Sequence, residues 1–248
     1  MPDLETILVA APTFIAAYTV FAMVGFGTTL ISAPIVAQVV PLPTLIPAQA
    51  LLDLAASTGN GLKLGSKVEK SEVLRLLPAL MLGLIAGAYL LIVVPLTALM
   101  VLLGAFVVLY ALRGMLTRPR RRPLRAGWAW WYGFSGGALS AMFGAGAWLY
   151  AIYLTRRIDD PTVIRASQTC LIAISAVIRV ALFAVAGKYS DWQVVGLSLV
   201  LLPAMVLGVF IGNKIAHKLD RPRFLRALYL VLLGTGGALL ARGVILLL

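Results

Sequence analysis

A single arginine lies deep within an apolar stretch of this chain. Arg179 is flanked by Ile174, Val177, Ile178 and Val180, and no other charged residue occurs from Ala166 to Gly187. In a bilayer an ionisable group at such a position is costly, so it is expected to face a protein interior or a water path. Its planar guanidinium can grip a sulfonate or carboxylate with two parallel hydrogen bonds. The plainer alternative is a structural ion pair, or a long side chain snorkelling to the nearer membrane face. Gln168 precedes Arg179 by 11 residues, close to three helical turns, so the two share a face. Gln49 and Asn60 repeat that spacing, and Asp53 stands four residues beyond Gln49 on the same stripe. Amide nitrogens donate to anionic oxygens, so the two stripes predict one midplane anion site. Amides also join membrane helices to each other without binding anything. Asp53 is the only acid well inside the first apolar region. It can carry a coupling proton or cation, or neutralise Arg179. No HExxH, P-loop or metal-ligand cluster is present, which points away from an enzyme, a cofactor and ATP-driven work.

The elements that must position these residues are membrane helices. The chain has 248 residues, 61% hydrophobic and 12% charged, with a mean hydropathy of +1.00. Soluble domains are about a quarter charged. No Asp, Glu, Lys or Arg occurs in Thr6–Leu52, Leu76–Leu112, Ala126–Thr155 or Trp192–Asn213. About 20 apolar residues span a bilayer as a helix, so the expected fold is an all-α membrane protein. The net charge of +12 fits basic cytoplasmic loops better than nucleic-acid binding. The tryptophans Trp128, Trp130, Trp131 and Trp192 fall at segment ends, where an aromatic belt is expected.

An internal repeat organises the segments. At an offset of 119 residues, Gly25-Phe26-Gly27 falls on Gly144-Ala145-Gly146, Gln49 on Gln168, and Ser71-Glu72 on Ser190-Asp191. At an offset of 125, Pro78, Gly83 and Gly87 fall on Pro203, Gly208 and Gly212. The expected division is a first transmembrane repeat over 1–117, a basic cytoplasmic linker over 118–125 and a second repeat over 126–248. Each repeat holds four segments, about eight in all, and the first of each is broken at a Gly-x-Gly. Thr6–Val40 would make a helix of roughly 50 Å, too long for one crossing. Glycine breaks at equivalent points of two halves mark discontinuous helices around a transporter site, and their exposed amides attract anions. Thr28 and Thr29 add hydroxyls there. The Gly-x3-Gly pairs predict tight helix contacts, with a homodimer seam as the weaker use.

Charge counting selects a topology. If the broken segments are hairpins returning to their own side, 18 of the 21 Lys and Arg residues share one face. The positive-inside rule then makes that face cytoplasmic and puts both termini outside. Each half crosses an odd number of times, so the halves are inverted.

At these residues the sequence resembles the TauE/SafE sulfite exporter family. The family's motif runs roughly G-x-G-G-G-x-hydrophobic-x-x-P. Gly25, Gly27 and Pro34 fit it, while Thr28 and Thr29 replace two glycines. Gly144 and Gly146 fit in the second half, without the proline. The resemblance implies a bacterial inner-membrane secondary transporter for a small sulfur-containing anion: sulfite, sulfoacetate or another organosulfonate. An anion channel, a membrane enzyme and a structural membrane subunit remain alternatives at this stage.

Overall fold

The computed structural model describes residues 3–24, 27–64, 67–116, 124–215 and 221–246. Among them are ten α-helices, one short 3-10 turn and no strand. In the first half they are α1 (Leu4–Val24), α2 (Thr28–Val36), α3 (Leu42–Leu64), α4 (Lys70–Val93) and α5 (Leu96–Leu116). The second half has α6 (Trp128–Phe143), α7 (Ala147–Thr155), α8 (Pro161–Val185), the turn Lys188–Ser190, α9 (Trp192–Ile215) and α10 (Arg221–Ile245). Eight expected segments thus become ten helices, because both long first segments divide. Six helices are long and apolar enough to cross a membrane: most or all of α1, α4, α5, α8, α9 and α10.

The breaks have local causes. Gly27 precedes α2 at φ 106° and Gly144 follows α6 at φ 63°. Both are left-handed conformations that side-chain-bearing residues avoid. Gly144 ends α6 as a glycine cap, its N–H bonding the Ser140 carbonyl at 2.8 Å. Asp160 starts α8, with Pro161 in the first turn. Its carboxylate accepts from the Thr162 N–H at 2.7 Å, and that bond holds the carboxyl below its ordinary range. α8 is the most amphipathic helix of the chain, and Ser167, Gln168, Ser175 and Arg179 lie on its buried face.

The pairing is even-handed between the halves. α4 packs on α6 and α9 on α1; α3 packs on α8 and α5 on α10. Exchanging the halves leaves these pairs unchanged. Glycines set the first two contacts. Gly83 and Gly87 of α4 abut the Phe134 and Ala138 carbonyls of α6, and Gly208 and Gly212 of α9 abut the Ile15 and Thr19 carbonyls of α1. Numbers rise together in both pairs, so each pair runs parallel. These faces are spent inside one chain, which removes them as a homodimer seam. The α5–α10 pair runs antiparallel, with Gly104 against Leu240 and Gly114 against Tyr229. Large apolar side chains face outward, among them Tyr89, Leu109, Phe210 and Leu230, as a lipid-facing surface requires.

Polar contacts tie the two ends of the bundle. At one end the buried Glu72 carboxylate receives Arg75 at 2.7 Å, Arg157 at 2.6 Å and the Tyr153 hydroxyl at 2.7 Å. Arg157 also donates to the Leu124 carbonyl, and the Glu69 N–H donates to Ser167. At the other end Arg242 donates to the Gln38 carbonyl and the Tyr189 hydroxyl to the Pro47 carbonyl. Trp128, Trp130, Trp131 and Trp192 are all exposed near helix ends. Residues 118–123 of the expected linker lie outside the described residues.

Candidate functional site

Where the halves meet, a carboxylate and a guanidinium face each other away from water. Asp53 on α3 and Arg179 on α8 are 4% and 2% exposed. Arg179 NH2 donates to Asp53 Oδ2 at 2.8 Å. These helices run antiparallel, since Pro47 meets Tyr189 while Asp53 meets Arg179. Breaking such a pair by deleting one partner leaves a bare buried charge, at a cost of about 3–5 kcal/mol.

The remaining valences are unevenly filled. Asp53 Oδ1 accepts from the Tyr18 hydroxyl of α1 at 2.8 Å and from Thr28 of α2 at 3.3 Å. Arg179 NH1 donates to the Ser140 carbonyl near the end of α6 at 3.2 Å. Ser140 in turn shares a hydrogen bond with Ser175, one turn before Arg179, at 2.7 Å. Arg179 Nε has no partner, and neither has the Tyr150 hydroxyl of α7. Both are buried, where an unmet donor ordinarily costs about 1–3 kcal/mol.

These groups surround a small cavity of about 20 Å³. A water needs roughly 10–15 Å³ on this measure, so the space is water-sized and must widen for a sulfonate. Asp53, Arg179, Ser140, Ser175 and Tyr150 line it together with Thr28. Gly27 and Gly144 form part of its wall, so both helix breaks open onto it. Phe21, Ala147 and Ile172 supply apolar surface. Only glycine fits at residue 144: besides its positive φ, a Cβ there would collide with the Thr29 hydroxyl.

The expected residues divide into four groups. Arg179, Asp53, Thr28, Gly27 and Gly144 meet at the cavity. Thr29 is fully buried beside Gly144, with its hydroxyl unpartnered. Gln49, Gln168 and Gly146 do not line the cavity. Gln49 accepts from Ser32 at 3.0 Å, and its amide nitrogen, like that of Gln168, has no partner. Each amide stands four residues from a cavity residue, Asp53 or Ile172. Because α3 and α8 are antiparallel, the two amides flank the cavity in opposite directions along the bundle. Gly146 instead permits close packing on α6, where a Cβ would strike the Gly136 carbonyl. Gly25 and the Asn60 side chain lie outside the described residues. Sequence spacing did not single out Tyr18, Tyr150 or Ser175. Ser175 alone carried a usable signal, four residues before Arg179 on the same helical face.

The family model for Sulfite exporter TauE/SafE matches residues 10–239, nearly the whole chain. The chain belongs to this family. A curated relative, the probable inner membrane transporter protein TsaS of Comamonas testosteroni, is 27% identical over 188 residues, covering 75% of this chain and 78% of its own. No solved structure matches the chain. A TauE/SafE-type membrane transporter is therefore the setting in which the cavity is to be understood.

Proposed function

We propose that this transporter carries a small sulfur-containing anion, sulfite, sulfoacetate or another organosulfonate, by alternating access around the Asp53–Arg179 cavity. The observation that carries the reading is the free Nε of a buried guanidinium facing a cavity. The family name supplies sulfite, and the two-bond grip of Arg on sulfonate geometry supplies the wider class. Arg179 binds the anion, Thr28 and Thr29 orient it, and Gln49 and Gln168 hold it on either side of the cavity. Gly27 and Gly144 let the helix breaks approach it. Asp53 is the group through which transport is coupled.

The same reading makes residues 1–117 and 126–248 two inverted repeats joined by a basic cytoplasmic linker. The equal sense of the α1–α9 and α4–α6 pairs fits a two-fold relation, and the antiparallel α3–α8 and α5–α10 pairs fit one whose axis lies in the membrane plane. The Glu72–Arg75–Arg157 end is then cytoplasmic, and the Gln38–Arg242 end lies outside with both termini. Rocking of one repeat against the other opens the cavity to each side in turn.

Anion-dependent thermal stabilisation of the purified protein tests the site, with sulfite, sulfoacetate, isethionate, taurine, sulfate, acetate and chloride as the panel. A ligand at one hundred times its dissociation constant adds about 2.7 kcal/mol. A selective shift that disappears in folded Arg179→Lys and Arg179→Ala protein is expected. No shift from any anion removes the transporter site; a shift unchanged in both variants moves it elsewhere.

A further inference from the structure

We propose, resting on the anion site just described, that each monoanion bound at Arg179 brings one proton onto Asp53, making transport an electroneutral proton–anion symport. The guanidinium geometry carries the argument. Nε and NH2 form one edge of the planar group, the edge that grips an oxyanion bidentately. Nε is free, but NH2 is held by Asp53 Oδ2 at 2.8 Å. A sulfonate gripping Nε and the second N–H of NH2 is therefore set directly against the carboxylate held on that same nitrogen. Arg179 NH1 spends one of its two N–H bonds on the Ser140 carbonyl.

The carboxylate would share a buried, water-sized cavity with a second anion. Two like charges so placed cannot both stay ionised; one takes a proton. A sulfonate is too weak a base to take it, so the proton goes to Asp53. The groups facing Asp53 can accommodate that proton. Tyr18 from α1 and Thr28 from α2 donate to Oδ1 now, and hydroxyls accept as readily as they donate. Arg179 from α8 keeps its charge throughout. Across the cavity stands Tyr150 of α7, a phenol with a free hydroxyl. Among the described residues, α4, α5, α6, α9 and the 188–190 turn bring no titratable group to the cavity. No acid or histidine cluster able to hold a metal cation occurs there either.

The charges balance. The empty site is neutral as Arg⁺ with Asp⁻. After uptake of A⁻ and H⁺ it is neutral again, as Arg⁺A⁻ beside AspH. Both states can reorient without moving net charge through the membrane. In Asp53→Asn the loaded site is still neutral, but the empty site carries a bare buried positive charge. That variant can then move only while loaded, and works as an exchanger.

Isethionate, a monoanion whose sulfonate does not titrate, is the probe, and purified wild-type protein in weak buffer and in proteoliposomes is the sample. Wild type is expected to take up about one proton per isethionate bound, with affinity falling tenfold per pH unit wherever Asp53 is ionised in the empty site and protonated in the loaded one. Inward isethionate flux should acidify the lumen and ignore an imposed membrane potential. Asp53→Asn should bind with no proton uptake and no pH dependence, keep isethionate counterflow and lose net proton-driven uptake. The wild-type proton count decides the point even if the variant misfolds. Binding without proton uptake by wild type, or undiminished uptake in Asp53→Asn, overturns the symport inference and leaves the anion site standing. No binding of isethionate or sulfite to wild type overturns both.

Discussion

Two buried carboxylates in this molecule meet arginines, and the two sets of contacts differ in what is left over. Glu72, at the end of the bundle, is saturated. Its Oε1 takes Arg75 and both Nε and NH2 of Arg157, and its Oε2 takes Tyr153. Its arginines also reach solvent, with side chains 47% and 26% exposed. Asp53, at the join of the halves, has one arginine whose side chain is 3% exposed, and that arginine keeps a free Nε. A saturated cluster at the rim fastens helices. An unsaturated pair in a cavity leaves a donor unmet, and its cost is carried by the rest of the fold.

The largest effect expected from breaking this contrast is in Arg179→Ala. It strands Asp53 without its counter-charge, which should lower stability by about 3–5 kcal/mol and cut anion affinity more than a hundredfold. Thermal unfolding with and without sulfite reads both. If affinity survives, the contrast between the two carboxylates fails. Glu72→Gln is the matching test at the rim. It should cost about 1–3 kcal/mol, as a lost set of hydrogen bonds to charged groups does, yet leave sulfite affinity unchanged. An affinity loss there would make the rim cluster part of the site.

Smaller changes sharpen the comparison by leaving charges alone. Gly144→Ala should destabilise by about 1–2 kcal/mol from the left-handed backbone alone, with a further loss from its collision with Thr29. Gly27→Ala meets only Val20 Cγ1, at 3.8 Å, so it should lose the backbone term and no more. Melting temperatures of the two variants side by side decide whether the second break is the tighter. Smallest of all, Tyr150→Phe removes one orphaned donor from the cavity. It should weaken anion binding up to about tenfold, one hydrogen bond's worth, without lowering melting temperature. A fall in melting temperature would mean that the hydroxyl already has a structural partner.

The sequence made the charged pair and the helix breaks legible for simple reasons. Asp53 and Arg179 interrupt long apolar runs, and Gly27 and Gly144 interrupt segments too long to cross once. The amides stand outside the cavity lining because helical spacing fixes direction but not depth. Eleven residues return Gln168 to the face of Arg179, yet roughly 16 Å away along the axis. A water-sized cavity cannot reach both. Tyr18 and Tyr150 were invisible because α1 and α7 bring them in from remote positions, and 119-residue symmetry does not relate them. The glycine faces have a similar lesson: Gly83, Gly87, Gly208 and Gly212 announce close contact, and only packing reveals that their partner is within the chain.

That exchange of partners has a consequence for how the protein is made. The glycine face of α4 is completed by α6, and the matching face of α9 closes on α1, a helix synthesised well before it. An N-terminal half released alone would therefore present two bare contact surfaces to lipid, and so would a C-terminal half. Maturation must wait for residues 192–215, when the last synthesised glycine face reaches the first helix. Until then the nascent chain holds its arginine and its aspartate apart from any finished cavity, and is a natural client for whatever shelters half-assembled helices in the bilayer.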